Sequence, residues 1–247
     1  AAKTKGINRT NWDLRYEPTY RPKLRVQPPS RPWVQLNGEG WRPLVTWDLD
    51  LMAGQFGPRV VPGTYTAKLV VDGEETSQTF EVRKDPNAEG TNADIAAQVD
   101  FSLQLRDAMN IAVSSINRIE GIRKELETIL TEEKDRRIQK EAVRMKKLAE
   151  DIAGKLYDIH LTGAREDAFR SPMRLYGRLS ALASDINSSG IDYRPTNQQG
   201  EVYEVLNGRL QQVQTQFEEF IQQDVERFNK ALQRKNRSLK VEEGLER

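Results

Sequence analysis

The chain has 247 residues, with 38 Lys+Arg against 37 Asp+Glu and a formal net charge of +1. That balance argues against a dedicated nucleic-acid binder. The absence of cysteine excludes disulfides, thiolate catalysis and Cys-based zinc sites, and a single histidine excludes His-rich metal sites.

Charged residues make up 30% and hydrophobic residues 37%, a mix that suits long, surface-rich helices better than a thick core. No run of about 18 apolar residues is present, so no transmembrane helix is expected. The start, AAKTKGINRT, has no apolar stretch of the signal-peptide kind.

Composition changes at Asp85-Pro86: eight of the 11 prolines and all four tryptophans precede that pair. Proline stops helices and removes a ladder donor, so residues 1–86 read as short strands and loops. In chain order, Asn8–Arg15 is the first strand candidate. Residues 21–40, Pro-rich, read as a long loop wrapped over the sheet. Up to Arg31 the chain carries Lys3, Lys5, Arg9, Arg15, Arg21, Lys23, Arg25 and Arg31 against Asp13 and Glu17, a local +6. That segment suits either an anionic partner (an acidic glycan, a lipid headgroup or a phosphate) or a solvated loop with local pairing. Val45–Leu49 is a further strand candidate. The clearest strand is Thr64–Val71, with Tyr65, Ala67, Leu69 and Val71 on one face. Asp72-Gly73 then supplies the positive φ angles of a tight hairpin, and Phe80 and Val82 share a face of the returning strand.

Residues 87–247 carry helical periodicity and predict an antiparallel bundle of about four helices. The first starts near Thr91, with Asp94 at capping-box spacing. Its stripe runs through Ile95, Val99, Leu105, Met109, Ala112, Ile116, Ile119 and Leu126. The second follows Leu130-Thr131, along Ala142, Met145, Ala149, Ile152, Leu156 and Ile159. Ser171-Pro172 opens the third, with Leu175, Leu179, Leu182 and Ile186. Pro195-Thr196 leads into the fourth, with Tyr203, Leu206, Leu210, Val213, Phe217, Phe220 and Phe228. Each stripe is narrow and backed by charge, so the helices must bury their stripes against one another. Helices of about 30–38 residues predict a rod about 45–57 Å long.

Catalytic signals are sparse. His160 has no Ser or Asp nearby in a nucleophile or orienting pattern. Asp48 and Asp50, with Asp13, form too small an oxygen set to define a calcium site. Gly38-Glu39-Gly40 does not lead into a helix and so is no phosphate loop. Glu132 to Arg137 is a run of mixed sign, as a solvated helix start is. No catalytic residue, cofactor site or metal site is expected.

Two stretches resemble a known family. Gly6-Ile7-Asn8-Arg9-Thr10-Asn11-Trp12-Asp13-Leu14-Arg15 is similar to its G-x-N-R-x-x-W-D-L-R strand. Gly57-Pro58 and Pro62-Gly63-Thr64-Tyr65-Thr66-Ala67-Lys68-Leu69, followed by Asp72-Gly73, are similar to its hairpin. The family is that of bacterial sortilin-like (VPS10/BNR-repeat) β-propeller proteins, whose C-terminal region joins an immunoglobulin-like module of the flagellar hook-capping type to a helical tail. Trp47-Asp48 and the Pro-rich insertion lie outside that pattern.

The resemblance implies an α+β chain in two domains. Residues 1–86 would form an Ig-like antiparallel β-sandwich lacking its first strands, and residues 87–247 an elongated helical bundle. It implies a non-catalytic structural module of an extracytoplasmic protein, at the periplasm, cell surface or secreted. Such a module docks on a propeller or another protein chain that supplies the missing strands. Trp12, Arg15, Trp33, Trp41, Trp47 and Tyr65 are the interaction candidates. Two alternatives stand beside this reading. The parent is a glycosidase or peptidase-like hydrolase with its active site on a propeller outside this chain, or the basic N-terminal segment binds an anionic glycan.

Overall fold

A computed structural model describes residues 5–44, 56–164, 166–188, 192–241 and 244–245. It combines helices with two small antiparallel sheets of two strands each. One sheet pairs β1 (Lys23–Leu24) with β2 (Arg42–Pro43). The other pairs β3 (Gly63–Val71) with β4 (Glu74–Val82), Tyr65 opposite Phe80 and Leu69 opposite Thr76. Asp72 and Gly73, at φ 51° and 91°, make the two-residue turn whose twist matches paired strands.

The helices are α1 (Asn92–Glu132), α2 (Arg136–Leu156), the single turn α3 (Asp167–Arg170), α4 (Leu175–Ser188), α5 (Asn197–Glu219) and α6 (Glu226–Leu232). At 1.5 Å per residue the 41 residues of α1 span roughly 60 Å. The others are unequal: 21 residues in α2 and 14 in α4. The bundle is therefore built along one long helix rather than from four of similar length. α2, α4 and α5 all pack on α1.

Local chemistry sets the ends. Thr91 accepts from the Asp94 N–H at 3.2 Å, and the Asp94 carboxylate accepts from the Thr91 N–H at 3.1 Å, closing a capping box. Thr196 and Gln199 repeat the device at α5. α1 runs through Thr131 to Glu132, past the expected break. The turn to α2 is then made by carboxylates: Glu133 accepts from the N–H groups of Lys134 and Asp135, and Asp135 caps α2 through the Arg137 N–H. The third long helix starts at Leu175, so Pro172 precedes it instead of sitting in its first turn.

The fourth stripe contains a five-residue step. Phe217, Phe220, Val225, Phe228 and Leu232 are all buried, yet five residues of α-helix would rotate Val225 off the stripe. Residues Phe220–Val225 form a π-helical turn, whose wider winding returns Val225 to the core.

Three sequence expectations are corrected. Asn8–Arg15 is not a strand, apart from a single bridge between Arg15 and Arg59. The reason is local: Leu14 has φ 60°, and the Asp13 side chain accepts from the Arg15 N–H at 3.2 Å, so the backbone turns where a strand would run straight. The Pro-rich segment wraps over α1, not over the β3–β4 sheet. Its backbone is fastened by α1 side chains in ascending order: Tyr20 N–H to Asn110 (2.9 Å), Lys23 N–H to Asn117 (2.7 Å), Arg25 N–H to Glu120 (2.6 Å). Its Leu24, together with Leu44, joins the same core as the helices, so packing continues across the Asp85-Pro86 composition break. Finally, α1 is not a narrow stripe in its middle, because Asn117, Glu120 and Arg123 are buried there along with Ile116, Ile119 and Ile122. The strand expected at Val45–Leu49 lies outside the described residues, as do Trp47, Asp48 and Asp50.

Candidate interaction surface

β3 and β4 form an amphipathic ribbon. Period-2 alternation and the register place Tyr65, Ala67, Leu69 and Val71 on the same face as Phe80 and Val82. Thr64, Thr66, Lys68 and Val70 face the other way, with Ser77, Thr79 and Glu81. Only the base of the apolar face is covered. Trp12 lies 5.4 Å from the Tyr65 ring and 6.0 Å from Phe80, and Tyr65 stacks on Phe80 at 6.2 Å. Toward the tip, Leu69 and Val71 are 60% and 53% exposed. Neither ribbon strand pairs with a third among the described residues. A two-stranded ribbon is marginal alone, and its free edges can template another strand.

The N-terminal segment fixes the base of the ribbon. Tyr16 N–H bonds Pro58 O at 2.8 Å, and Val60 N–H bonds Leu14 O at 2.9 Å. Arg15 Nη1 bonds Gly57 O at 2.8 Å, and its guanidinium sits 5.4 Å over the Phe56 ring. Burial, then the neighbouring Arg59 charge, pushes the Arg15 guanidinium below its usual value. Trp12 Nε1 donates to Arg15 O at 3.0 Å. Tyr65 donates its hydroxyl to Val61 O at 2.6 Å; burial, then Tyr16, raises its phenol. Gly57 is required here, because a Cβ on it would stand 1.7 Å from Tyr16 O. Behind this base a cleft of about 390 Å³ is lined by Arg15, Arg59, Val82, Ile95, Val99 and Ile186.

The structure brings Trp12, Arg15 and Tyr65 together and leaves Trp33 and Trp41 elsewhere. Trp33 is 67% exposed on the Pro-rich strap. Trp41 closes the turn begun by Asn37, donates to Glu39 at 2.7 Å and lies under the Lys23 ammonium at 5.7 Å. The basic segment is thus partly occupied. Arg21, Lys23 and Arg25 belong to backbone docked on α1.

A buried polar cluster beneath the strap went unread in the sequence. Glu120 is fully buried and accepts from Arg123, from the Tyr157 hydroxyl and from the Arg25 and Val26 N–H groups. Arg123 Nη1 also meets Tyr157 Oη at 2.9 Å. Burial works against the Arg123 charge, and the neighbouring Tyr157 and Glu120 oxygens outweigh it, so the guanidinium is held firmly protonated. Burial, then the Glu120 charge, pushes the Tyr157 phenol well above its usual range and keeps it neutral. Arg42 on β2 is 6% exposed; burial, opposed by Glu120, lowers its value. This cluster is closed to solvent and pins the strap. The sequence signal was Glu120 and Arg123 at i, i+3 between isoleucines on several sides of one helix, which no narrow stripe explains.

His160 is exposed; its backbone N–H bonds Asp158 Oδ1 at 2.9 Å, and the other Asp158 oxygen accepts from the Ser171 hydroxyl. Among the described residues no group of three or more His, Asp or Glu could hold a metal, and no helix is long and apolar enough to cross a membrane. No protein family, curated protein or solved structure matches the chain.

Proposed function

We propose that this chain is a non-catalytic structural and interaction module whose β-ribbon is completed by strands from another protein chain. The observation that carries the reading is the half-covered ribbon: Trp12 packs on Tyr65 and Phe80, while Leu69 and Val71 stay exposed and neither strand pairs with a third among the described residues. Burying such side chains would contribute about 1–2 kcal/mol each, since half their area is still exposed. Main-chain pairing along β3 or β4 would add register and specificity.

The resemblance of residues 6–15 and 57–73 to the C-terminal region of sortilin-like β-propeller proteins supports the same reading. It suggests an Ig-like sandwich as the completed form, a propeller or propeller-bearing chain as the donor, and an extracytoplasmic location. In this reading the helical body is a brace, and the α1-docked strap ties the ribbon to it.

The test uses a photo-crosslinking residue at Leu69 in producing cells, with Val143 on the exposed face of α2 as the control position. Support is one saturable partner captured at Leu69 and not at Val143, whose purified form protects β3 amides from hydrogen exchange. Scattered crosslinks, or the same set from both positions, contradict the proposal.

A further inference from the structure

Several cations on the helical body are matched to carboxylates. Arg144 lies 2.7 Å from Glu141 and 2.8 Å from Asp224, Arg118 2.7 Å from Glu218, Arg106 2.8 Å from Asp107, and Lys146 3.2 Å from Glu127. One groove instead gathers cations without a carboxylate. Between the C-terminal end of α2, the start of α4 and the middle of α5 lies a groove of about 380 Å³. Its wall carries Lys155, Arg174, Arg178 and Arg209, and no carboxylate.

None of these four cations forms an ion pair among the described residues. Lys155 bonds the Gln216 side-chain oxygen, and Arg178 bonds the Met173 carbonyl at 3.2 Å, both neutral acceptors. Arg174 immediately precedes α4 and its carbonyl accepts from the Arg178 N–H at 3.0 Å, so both arginines stand at the start of that helix. Arg209 lines the same groove from α5. The fold thus concentrates about four positive charges in one concave place, where low-dielectric walls strengthen their common field. Gln212 and Gln216 add neutral hydrogen-bonding groups to the wall, and Val213 and Leu175 form part of its floor. Among the described residues no aromatic ring lines the groove.

We propose that this groove is a binding site for a small anion bearing several phosphate groups. Guanidinium forks bond phosphate oxygens in pairs, and three arginines with one lysine match a charge of about −3 to −4. Recognition is through the phosphates, and the volume is in the range of small-molecule sites. The phosphates can belong to a free metabolite or to a polyphosphorylated lipid headgroup; the site chemistry is the same. This site lies on the helical body and does not depend on the ribbon's role.

The test is calorimetric titration of the full chain with sodium tripolyphosphate at low salt, repeated with R174A/R209A and with R227A as a paired-arginine control. All three arginines are exposed, so the variants should fold, which far-UV circular dichroism checks. The expected result is saturable binding that weakens at least about tenfold in R174A/R209A, is unchanged in R227A, and falls with added salt. A second arm floats the chain with phosphatidylcholine vesicles containing phosphatidylinositol bisphosphate. Flotation lost in R174A/R209A and competed by tripolyphosphate assigns the phosphates to a lipid headgroup. Saturable tripolyphosphate binding without flotation assigns them to a free molecule. The proposal is overturned if neither probe binds, or if R174A/R209A binds as the wild type does.

Discussion

Replacing Glu120 by alanine tests the polar cluster that holds the strap to α1. Glu120 is 0% and Arg123 2% exposed, so the substitution leaves a guanidinium buried without its carboxylate. Breaking a buried pair on one side costs about 3–5 kcal/mol. The Arg25 and Val26 N–H groups lose the same acceptor, at about 1 kcal/mol each. These costs overlap, so E120A should lose about 4–6 kcal/mol of unfolding free energy. For a chain of this length that is a fall of roughly 10–20 °C in Tm. Urea unfolding followed at 222 nm measures the loss. Limited trypsin digestion reads the strap directly, because the Lys23-Leu24 and Arg25-Val26 bonds lie in it, and cleavage there should accelerate. E120M/R123M removes both charges and should recover much of the lost stability while the strap stays easier to cleave. If E120A falls within about 1 kcal/mol of wild type with unchanged strap cleavage, the cluster does not hold the strap.

G57A should loosen the ribbon base, since its Cβ would meet Tyr16 O at 1.7 Å; the emission of Trp12, packed on Tyr65 and Phe80, reports it, and an unchanged spectrum counts against the close approach. T196A should cost about 1 kcal/mol through the lost α5 cap, read from the urea midpoint. Asp94, Glu133, Asp135 and Glu141 are held below the usual carboxylate range. The main cause is the Thr91 side-chain bond for Asp94, the Asp135 N–H for Glu133, the Arg137 N–H for Asp135 and the Arg144 side-chain bond for Glu141. Folded values below unfolded ones mean stability that is present above about pH 4.5 and lost as pH falls below about 4. The urea midpoint should therefore stay level from neutral pH to about 5 and then drop; a rise on acidification reverses the sign. Leu69→Lys with Val71→Lys should leave the isolated chain within about 0.5 kcal/mol of wild type, because both side chains are exposed. Val71→Lys alone should abolish crosslinking from the photo-reactive residue at position 69.

The helices were legible because local chemistry decides them. Thr91 with Asp94 caps α1 where their spacing says, Pro195-Thr196 leads into α5 as expected, and the stripes of α2 and α4 are buried as their periodicity requires. The β3–β4 hairpin was legible for the same reason, through alternation and an Asp-Gly turn. What was not legible depends on contacts distant in sequence. The strap follows α1 because Asn110, Asn117 and Glu120, some 90 residues away, accept its N–H groups. Nothing in a proline-rich run encodes that choice. The Asn8–Arg15 alternation looked like a strand, but Asp13 and Leu14 turn the backbone within it. The stripe reading of α1 treated Glu120 and Arg123 as solvated because charge usually is; only the strap above them makes them core. For the surface, aromatic content flagged Trp12 and Tyr65, which meet. It also flagged Trp33 and Trp41, which lie on the strap. The cationic groove escaped because Lys155, Arg174, Arg178 and Arg209 come from three separate segments.

The central claim is that the ribbon is an incomplete sheet awaiting strands from another chain. Amide hydrogen exchange on the isolated chain tests it most directly, comparing β3–β4 with the middle of α1. The account predicts fast exchange along both ribbon strands, Lys68 to Thr76 above all, while Met109 to Leu126 stays protected to the global unfolding limit. Protection of the ribbon amides equal to that of α1 would show a sheet already completed within this chain, and would contradict the account.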